Sequence, residues 1–596
     1  MKKIFYFLSA LLLLGSTVLI VEAKGGYTYD HAKKAIHSTV GMSASKDGIY
    51  TITSNAWEGI PADQFTSPED LFIFKHPVTG EETIYIIDST SNYLYVFDST
   101  LKLKQGSDES RRTRRYRLKG ETVDRFYEGE IITRYEIRPD TITQDEYEKV
   151  KTGTDTGNKL FSNTTDGVDW LTFTAPLQTP VESRADSQRW YIQPKNISGV
   201  YRALRPLRDE GGFIIEGEYQ DVLYICDKGN NQILLLDPVD YHIIQVVSQP
   251  TSIVFEGKTF SPLKMVTDST GRMFVISESV YEGIMQMSYF GEFMSYIGVN
   301  YTTLTAWDKF WRNFSTEEQL KKQSAIVNTE FRNLAIDDSG FIYTVSRAIK
   351  VSTYSEDPNN MIKKINPSGK DTLVKNGYHM PIGDIAFSLA GSSASDGISI
   401  SSRFAGIAIN DYGVYTVVDE KKGRLFTYDD EGNLLYISGN SGPELNNINS
   451  PTAVRYQGED ILVLDKYNKA VIRFEPTDIA RIINKAVEYQ YNGQLAEAAE
   501  EWKNVVSENP NYELAYIGIG KSLLNENRYQ DAMANFRLGF ETSYYSNAYQ
   551  RYRDREIKLN FTSFAVLAIG AALILVARGK IAEIPRKDIK RIVGED

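Results

Sequence analysis

A pattern of 14 residues recurs along this chain and limits its fold more than any other feature. The first copy is 85–98 (YIIDSTSNYLYVFD) and the second is 224–237 (YICDKGNNQILLLD). In each copy a β-rich segment ends at an aspartate, a polar turn follows, and a second β-rich segment ends at an acidic residue. The same spacing returns after Asp419 and after Asp465. This pattern predicts β-hairpins with one buried and one exposed face.

A second signature precedes the hairpins and completes a longer unit. Short apolar segments that follow a turn are typical of a first strand, and they occur at 67–73, 261–266, 330–336 and 402–408. Together with the hairpin they make about 40 residues and four short strands, which is the period of a propeller blade. The sequence predicts six such units, at 67–104, 200–248, 257–298, 329–370, 401–439 and 450–475.

These hairpins resemble the blades of NHL-repeat β-propellers. The resemblance implies an all-β propeller over 67–476, after an N-terminal segment at 24–66. The stretch 105–199 is too long to connect two blades, and we interpret it as an inserted subdomain on the propeller face. A second departure, 299–328, contains a Ser-x-x-Glu pattern typical of a helix N-cap, which predicts a helical excursion.

Four aspartates occupy equivalent places in the repeat: Asp88, Asp227, Asp419 and Asp465. Each stands where a turn begins, and an aspartate side chain there accepts hydrogen bonds from backbone amides two residues on. We therefore interpret them as structural. The alternative is calcium ligation, which stays open because 78 acidic residues leave many candidate ligands.

The resemblance also makes an enzyme an alternative function, since propellers related to NHL blades include calcium-dependent lactonases and zinc-dependent lyases. Zinc is disfavoured because only His242 and His379 fall between the start of unit two and the end of unit six. The single cysteine, Cys226, excludes an internal disulfide framework and a Cys-rich zinc site. No phosphate loop, HExxH pair or GxSxG elbow is present. We assign no catalytic, cofactor-binding or metal-binding residue, and we expect no cofactor.

The repeat changes after Pro476, where apolar residues recur every three or four positions and predict helices. Two segments, 479–511 and 512–542, repeat with a period of 34 residues. The matched pairs are Leu495 with Tyr529, Ala498 with Ala532 and Trp502 with Phe536, and Pro510 follows the second helix. The pattern resembles a pair of tetratricopeptide repeats within an all-α array at 477–558.

Both ends of the chain are apolar. Lys2 and Lys3 precede a long apolar run, and a small-residue pattern ending at Ala23 predicts an export signal at 1–23; an uncleaved anchor is the alternative. From Phe561 to Ala577 no residue is charged, and at about 1.5 Å per residue this stretch reaches roughly 25 Å. We predict a transmembrane helix at 559–577, with the tail 578–596 in the cytoplasm.

The net charge of −12 argues against nucleic acid as a partner. The order of signal, propeller, helical pair and anchor resembles a group of NHL and tetratricopeptide repeat proteins of Gram-positive bacteria, commonly found beside a Yip-type membrane protein and sugar ABC-transporter components. The resemblance implies a role near carbohydrate uptake or envelope assembly. We interpret the chain as a membrane-anchored extracytoplasmic scaffold whose partners are such a membrane protein and the bilayer, and, since no catalytic constellation is found, not as an enzyme. A metal-dependent lactonase or lyase and a glycan-binding propeller are the alternatives.

Overall fold

The computed structural model describes most of the chain, with gaps. The described residues are 27–37, 42–51, 66–101, 115–127, 130–141, 159–165, 168–174, 194–209, 212–238, 243–250, 255, 258–278, 280–298, 330–347, 349–352, 355–357, 361–375, 380–385, 402–444 and 446–583. The predicted signal with Ala23 lies outside them, as does the helical excursion predicted at 299–328. The chain divides into two compact units, Met1–Arg481 and Ile482–Asp596.

The first unit is built from antiparallel strands. Three N-terminal strands come first: β1 (Tyr27–Tyr29), β2 (Ala35–His37) and β3 (Met42–Thr51). The first sheet contains β4 (Pro68–Lys75), β5 (Glu82–Asp88) and β6 (Tyr93–Asp98). An inserted sheet follows, with β7 (Arg115–Tyr127), β8 (Glu130–Thr141), β9 (Lys159–Thr165) and β10 (Val168–Thr174) in the order β10-β9-β7-β8.

Five further sheets follow in chain order. The second contains β11 (Ile197–Arg208), β12 (Ile214–Asp227), β13 (Gln232–Leu236) and β14 (Ile243–Val247). The third contains β15 (Pro262–Thr267), β16 (Met273–Ser277), β17 (Ile284–Met287) and β18 (Phe293–Ile297). The fourth contains β19 (Phe331–Ile336), β20 (Ile342–Ser346) and β23 (Ile362–Ile365), with a separate hairpin of β21 (Ile349–Ser352) and β22 (Ser355–Asp357). The fifth contains β24 (Phe404–Ile409), β25 (Tyr415–Asp419), β26 (Arg424–Tyr428) and β27 (Leu434–Ser438), and the sixth contains β28 (Pro451–Gln457), β29 (Asp460–Asp465) and β30 (Ala470–Pro476).

The first strands of these sheets surround a common centre. Strands β4, β11, β15, β19, β24 and β28 each contact the first strand of the preceding and the following sheet, and β28 contacts β4. Each sheet continues outward from this ring by hairpins. Sheets arranged in this way around a ring of first strands form a β-propeller. The first and fourth sheets have three strands among the described residues, fewer than the four predicted for each unit.

Apolar side chains fill the spaces between successive sheets. Tyr85 of the first sheet packs in one cluster with Leu223 of the second, and Tyr95 on the other face packs with Leu462 of the sixth. Because each sheet lies between two neighbours, strands such as β13 and β16 are buried at every position. The prediction of hairpins with one exposed face was therefore wrong for these strands.

The N-terminal strands complete sheets formed by the end of the propeller sequence. Strand β3 pairs antiparallel with β30, from Met42 opposite Pro476 to Thr51 opposite Ala470. Strand β1 pairs with β2 and, through Tyr27, with Ile437 of β27. The chain therefore closes its ring of sheets with residues from both ends of the first unit. This role of the segment 24–66 was not predicted from the sequence.

The C-terminal region is helical. Its helices are α1 (Asp478–Tyr491), α2 (Leu495–Glu508), α3 (Glu513–Asn525), α4 (Tyr529–Leu538) and α5 (Thr542–Glu583). Two glycines of α3 allow close packing: a side chain at Gly518 would meet the Trp502 ring of α2, and one at Gly520 would meet the Phe536 ring of α4. Aromatic stacking repeats along the array, with Trp502 on Tyr512 and Phe536 on Tyr544.

Candidate functional site

The four repeated aspartates lie in four different sheets, and the structure does not bring them together. Each is fully buried at the end of its sheet's second strand, directly opposite the start of the first strand. Asp88 shows the arrangement. Its Oδ2 accepts a hydrogen bond from the Ser67 amide (2.6 Å), while Oδ1 accepts from the amides of Thr90 and Ser91 in the turn that follows.

The other three carboxylates make equivalent bonds to residues that precede the first strand. Asp227 accepts from the Lys195 amide (2.8 Å), Asp419 from the Arg403 amide (2.7 Å) and Asp465 from the amides of Asn449 (2.6 Å) and Ser450 (2.8 Å). In the third sheet a serine takes this place, since Ser277 Oγ accepts from the Ser261 amide (2.9 Å). These side chains tie each turn to the start of its own first strand.

The buried carboxyl group of Asp227 is expected to make the unfolding free energy of the protein depend on pH. Burial raises its pKa to about 6, against hydrogen bonds from Lys195, Gln232 and Asn230 that lower it. A carboxyl group that ionises less readily in the folded protein destabilises the fold as the pH rises from its unfolded pKa, near 4, to about 6. Over this window we expect the wild type to lose about 3 kcal/mol of unfolding free energy relative to Asp227→Asn.

Urea unfolding of both proteins at pH 4 and pH 7 measures this difference. The introduced asparagine can fit its hydrogen-bond donors less well than aspartate does, but this effect is the same at both pH values. The change with pH in the difference in unfolding free energy between the two proteins therefore reports only the protonation of Asp227. A difference that stays constant between pH 4 and pH 7 would contradict the prediction.

The residues of the 34-residue repeat lie at helix contacts. Ala498 and Ala532 are buried, as are Trp502 of α2 and Phe536 of α4. Leu495 and Tyr529 begin these two helices, and Pro510 lies between α2 and α3. The matched pairs thus occupy equivalent positions in α2 and α4, which is what stacking of two similar helical units requires.

Four polar or charged residues lie on first strands of different sheets, and we call them the axial cluster: Asp70, Lys264, Asn333 and Arg455. Every first strand has a register shift after its first residue, and Asp70, Lys264 and Asn333 come directly after it in the first, third and fourth sheets. Lys264 Nζ lies 2.8 Å from Asp70 Oδ1 and donates to the Glu69 carbonyl (2.9 Å), although their sheets are not adjacent in the ring. The first strand of the second sheet lies between the strands of these two residues, and it has Gly199 at the equivalent position.

Arg455 enters the cluster from the sixth sheet. Its NH1 donates to the carbonyl oxygens of Val454 (2.8 Å) and Ile407 (3.4 Å), and its NH2 lies 3.9 Å from Asp70 Oδ1. Burial lowers the pKa of the Arg455 guanidinium, and the Asp70 charge acts in the opposite direction. The Phe72 ring lies 6.0 Å from the guanidinium carbon of Arg455, and the Tyr201 ring packs on Phe72 with 4.8 Å between the ring centres.

The axial cluster was not predicted from the sequence. The signal was present, because aligning the predicted first strands 67–73, 261–266 and 330–336 places Asp70, Lys264 and Asn333 at positions that are otherwise apolar or small. The alignment could not show that Lys264 and Asp70 meet, since their sheets are separated by another sheet.

A second buried charged group surrounds Asp384. Its Oδ2 pairs with the guanidinium of Arg424 and with Lys422 Nζ (3.3 Å), and its Oδ1 accepts from the Tyr29 hydroxyl of β1 (2.9 Å). The Arg424 guanidinium also lies over the Tyr27 ring, 5.2 Å from its centre. Burial, with neighbouring Tyr27 and the charge of Asp384, raises the pKa of the Tyr29 hydroxyl. This group fastens the N-terminal strand β1 to the fifth sheet.

Within the described ranges, no group of three or more His, Cys, Asp or Glu side chains is placed to hold a metal ion. Cys226 is buried in β12, and burial raises the pKa of its thiol above the usual range.

Solved structures with a similar arrangement include two lyases. A streptogramin B lyase structure matches at 9% identity and a TM-score of 0.35, over 72% of this chain and 97% of that one. A catalytically inactive virginiamycin B lyase from Staphylococcus aureus, with quinupristin, matches at 11% identity and a TM-score of 0.34, over 70% and 97%. A nidogen/laminin complex matches at 13% identity and 0.27, over 53% and 86%. No family model and no curated protein matches the sequence. Likeness at this level carries no information on activity.

Proposed function

We propose that this protein is a membrane-anchored extracytoplasmic scaffold, with a six-bladed NHL-like propeller, a pair of tetratricopeptide-like repeats and one membrane span. The observation that carries the proposal is the length of α5, which runs without a break from the helical array into the apolar stretch. A scaffold needs a binding surface held at a fixed place relative to its partner. A continuous helix provides this, because it leaves no flexible linker between array and span.

Helix α5 has two parts with different surroundings. Its first part packs on the array: Gln530 donates to the Tyr552 hydroxyl (3.0 Å), and the Arg555 guanidinium lies over the Tyr529 ring, 5.0 Å from its centre. Its second part, from Phe561 to Ala577, packs against nothing within the described residues and exposes its apolar side chains. At 1.5 Å per residue the 42 residues of α5 extend about 63 Å, long enough for both parts.

The distance between the two parts is short. Arg555, which donates to the Asn527 carbonyl (3.4 Å), precedes Phe561 by six residues, or about 9 Å along the helix axis. The turn between α3 and α4 would therefore lie close to the bilayer surface. A membrane protein in the same bilayer would be within reach of this array. The proposed partners are a transporter component or a small multi-span protein.

The first step of the test is topology. The native Cys226 is buried, so new cysteines can report accessibility. We expect Tyr467→Cys, at a position that is 76% exposed, to react with an impermeant maleimide in intact cells. We expect Lys590→Cys, in the tail, to react only after the membrane is permeabilised. Labelling of both sites, or of the tail alone, in intact cells would contradict the proposed orientation.

The second step is affinity capture of the full chain from solubilised membranes. The control is the same chain with residues 561–577 replaced by leucines, which keeps the anchor but removes its sequence. We expect one membrane protein to co-purify with the wild type and also with the control, because the partner binds the extracytoplasmic units and not the anchor. Recovery of the protein alone from both would count against a scaffold, and calcium-dependent thermal stabilisation would favour the lactonase alternative.

A further inference from the structure

The axial cluster holds more positive than negative charge. Lys264 and Arg455 both face a single carboxylate, Asp70, at 2.8 and 3.9 Å. Among the described residues no other carboxylate lies within 4 Å of either cation; Glu69, next to Asp70, pairs instead with Lys466 (2.7 Å). The side chains of Asp70, Lys264 and Arg455 are only 2, 11 and 15% exposed. Two cations and one anion with so little contact with water leave one positive charge unbalanced.

The hydrogen bonds of Arg455 are also incomplete. Its NH1 donates to two backbone carbonyls, but NH2 is too far from Asp70 for a hydrogen bond. The guanidinium therefore retains donors that could bind an acceptor oxygen. Burial lowers the pKa of this guanidinium more than the charge of Asp70 raises it.

Asn333 provides an independent observation. It is 1% exposed, and neither Nδ2 nor Oδ1 has a hydrogen-bond partner among the described residues. An unpaired buried amide is costly, and such groups are uncommon unless a ligand or water completes them. Asn333 occupies the same position in its first strand as Asp70 and Lys264 do in theirs.

We infer that the axial cluster is a binding site for a small carboxylate. A monoanion would balance the charge of Lys264 and Arg455. Carboxylate oxygens would accept from the open donors of the Arg455 guanidinium, which suits a planar acceptor, and from Nδ2 of Asn333. The rings of Phe72 and Tyr201 offer an apolar surface for the carbon part of the ligand. This site is independent of the proposed scaffold role, since it needs neither a protein partner nor the membrane.

The test uses the full chain in detergent with sodium acetate as the probe, at constant ionic strength maintained with sodium chloride. We expect acetate to raise the midpoint of thermal unfolding with saturation, and sodium chloride and phosphate to do less. Asn333→Leu and Arg455→Met should each weaken acetate binding about ten-fold or more, because each removes a donor to the anion. Asp70→Asn should strengthen binding, because it removes the competing carboxylate.

Two features of the variants keep the test decisive. Arg473→Met is the matched control: Arg473 is a similarly buried arginine of the same sheet, paired with Asp460 at 2.9 Å, and its loss should leave acetate binding unchanged. Asn333→Leu removes an unpaired polar group, so it should fold without acetate even if Arg455→Met does not. An acetate effect that is absent, matched by chloride or phosphate, or unchanged in Asn333→Leu would overturn the inference.

Discussion

Deleting residues 42–51 is expected to unfold the first unit or to make it aggregate. These residues form β3, which pairs with β30 and completes the last sheet of the propeller. Without β3, the backbone groups of β30 that now bond to it lose their partners, and an open strand edge is a template for pairing with other chains. We expect a loss of about 5 kcal/mol of unfolding free energy, comparable to the whole stability of a marginal domain.

The effect of the deletion can be separated from general damage by adding the strand back. A synthetic peptide of residues 42–51 should restore soluble, cooperatively unfolding protein, because the pairing of β3 with β30 does not require the connection to β4. Soluble yield and urea unfolding measure both results. A deletion variant that is as stable as the wild type would show that β3 does not close the sheet.

Asp384→Ala is expected to destabilise the protein by about 4 kcal/mol, because it leaves the guanidinium of Arg424 buried without its carboxylate. The same change removes the acceptor of the Tyr29 hydroxyl, so β1 should also loosen from the fifth sheet. Urea unfolding gives the first result. Faster proteolysis within residues 27–37, under native conditions, gives the second.

Two comparisons show whether the buried charge is the cause. Asp478→Ala breaks an ion pair with Arg481 in which the carboxylate is 99% exposed, and should cost less than about 1 kcal/mol. The double variant Asp384→Ala with Arg424→Met removes both charges and should recover most of the loss. A double variant as unstable as Asp384→Ala alone would mean that packing, not charge, explains the effect.

The repeat in the sequence located the sheets because a hairpin is a local structure. The spacing from Asp88 to Asp98 reflects two strands and one turn, and the pairing between these two strands lies entirely within the stretch from Thr83 to Asp98. The burial of both faces was not predicted correctly, since it depends on the neighbouring sheets. Helices α2 to α4 were predicted for the same local reason, from the period of their apolar residues.

The candidate site contains both local and long-range contacts, and only the local ones could be predicted. The turn aspartates could be found because each bonds within its own sheet. The axial cluster could not, because it joins Asp70 and Lys264 across 194 positions of sequence, and no periodicity relates a charge in one first strand to its partner in another. Sequence by itself identified the repeating hairpins, the helical pair and the apolar ends, since each is encoded by neighbouring residues. Only the tertiary structure decided that β3 completes the last sheet and that Asp70, Lys264 and Arg455 meet at the centre, because both depend on how the ring closes.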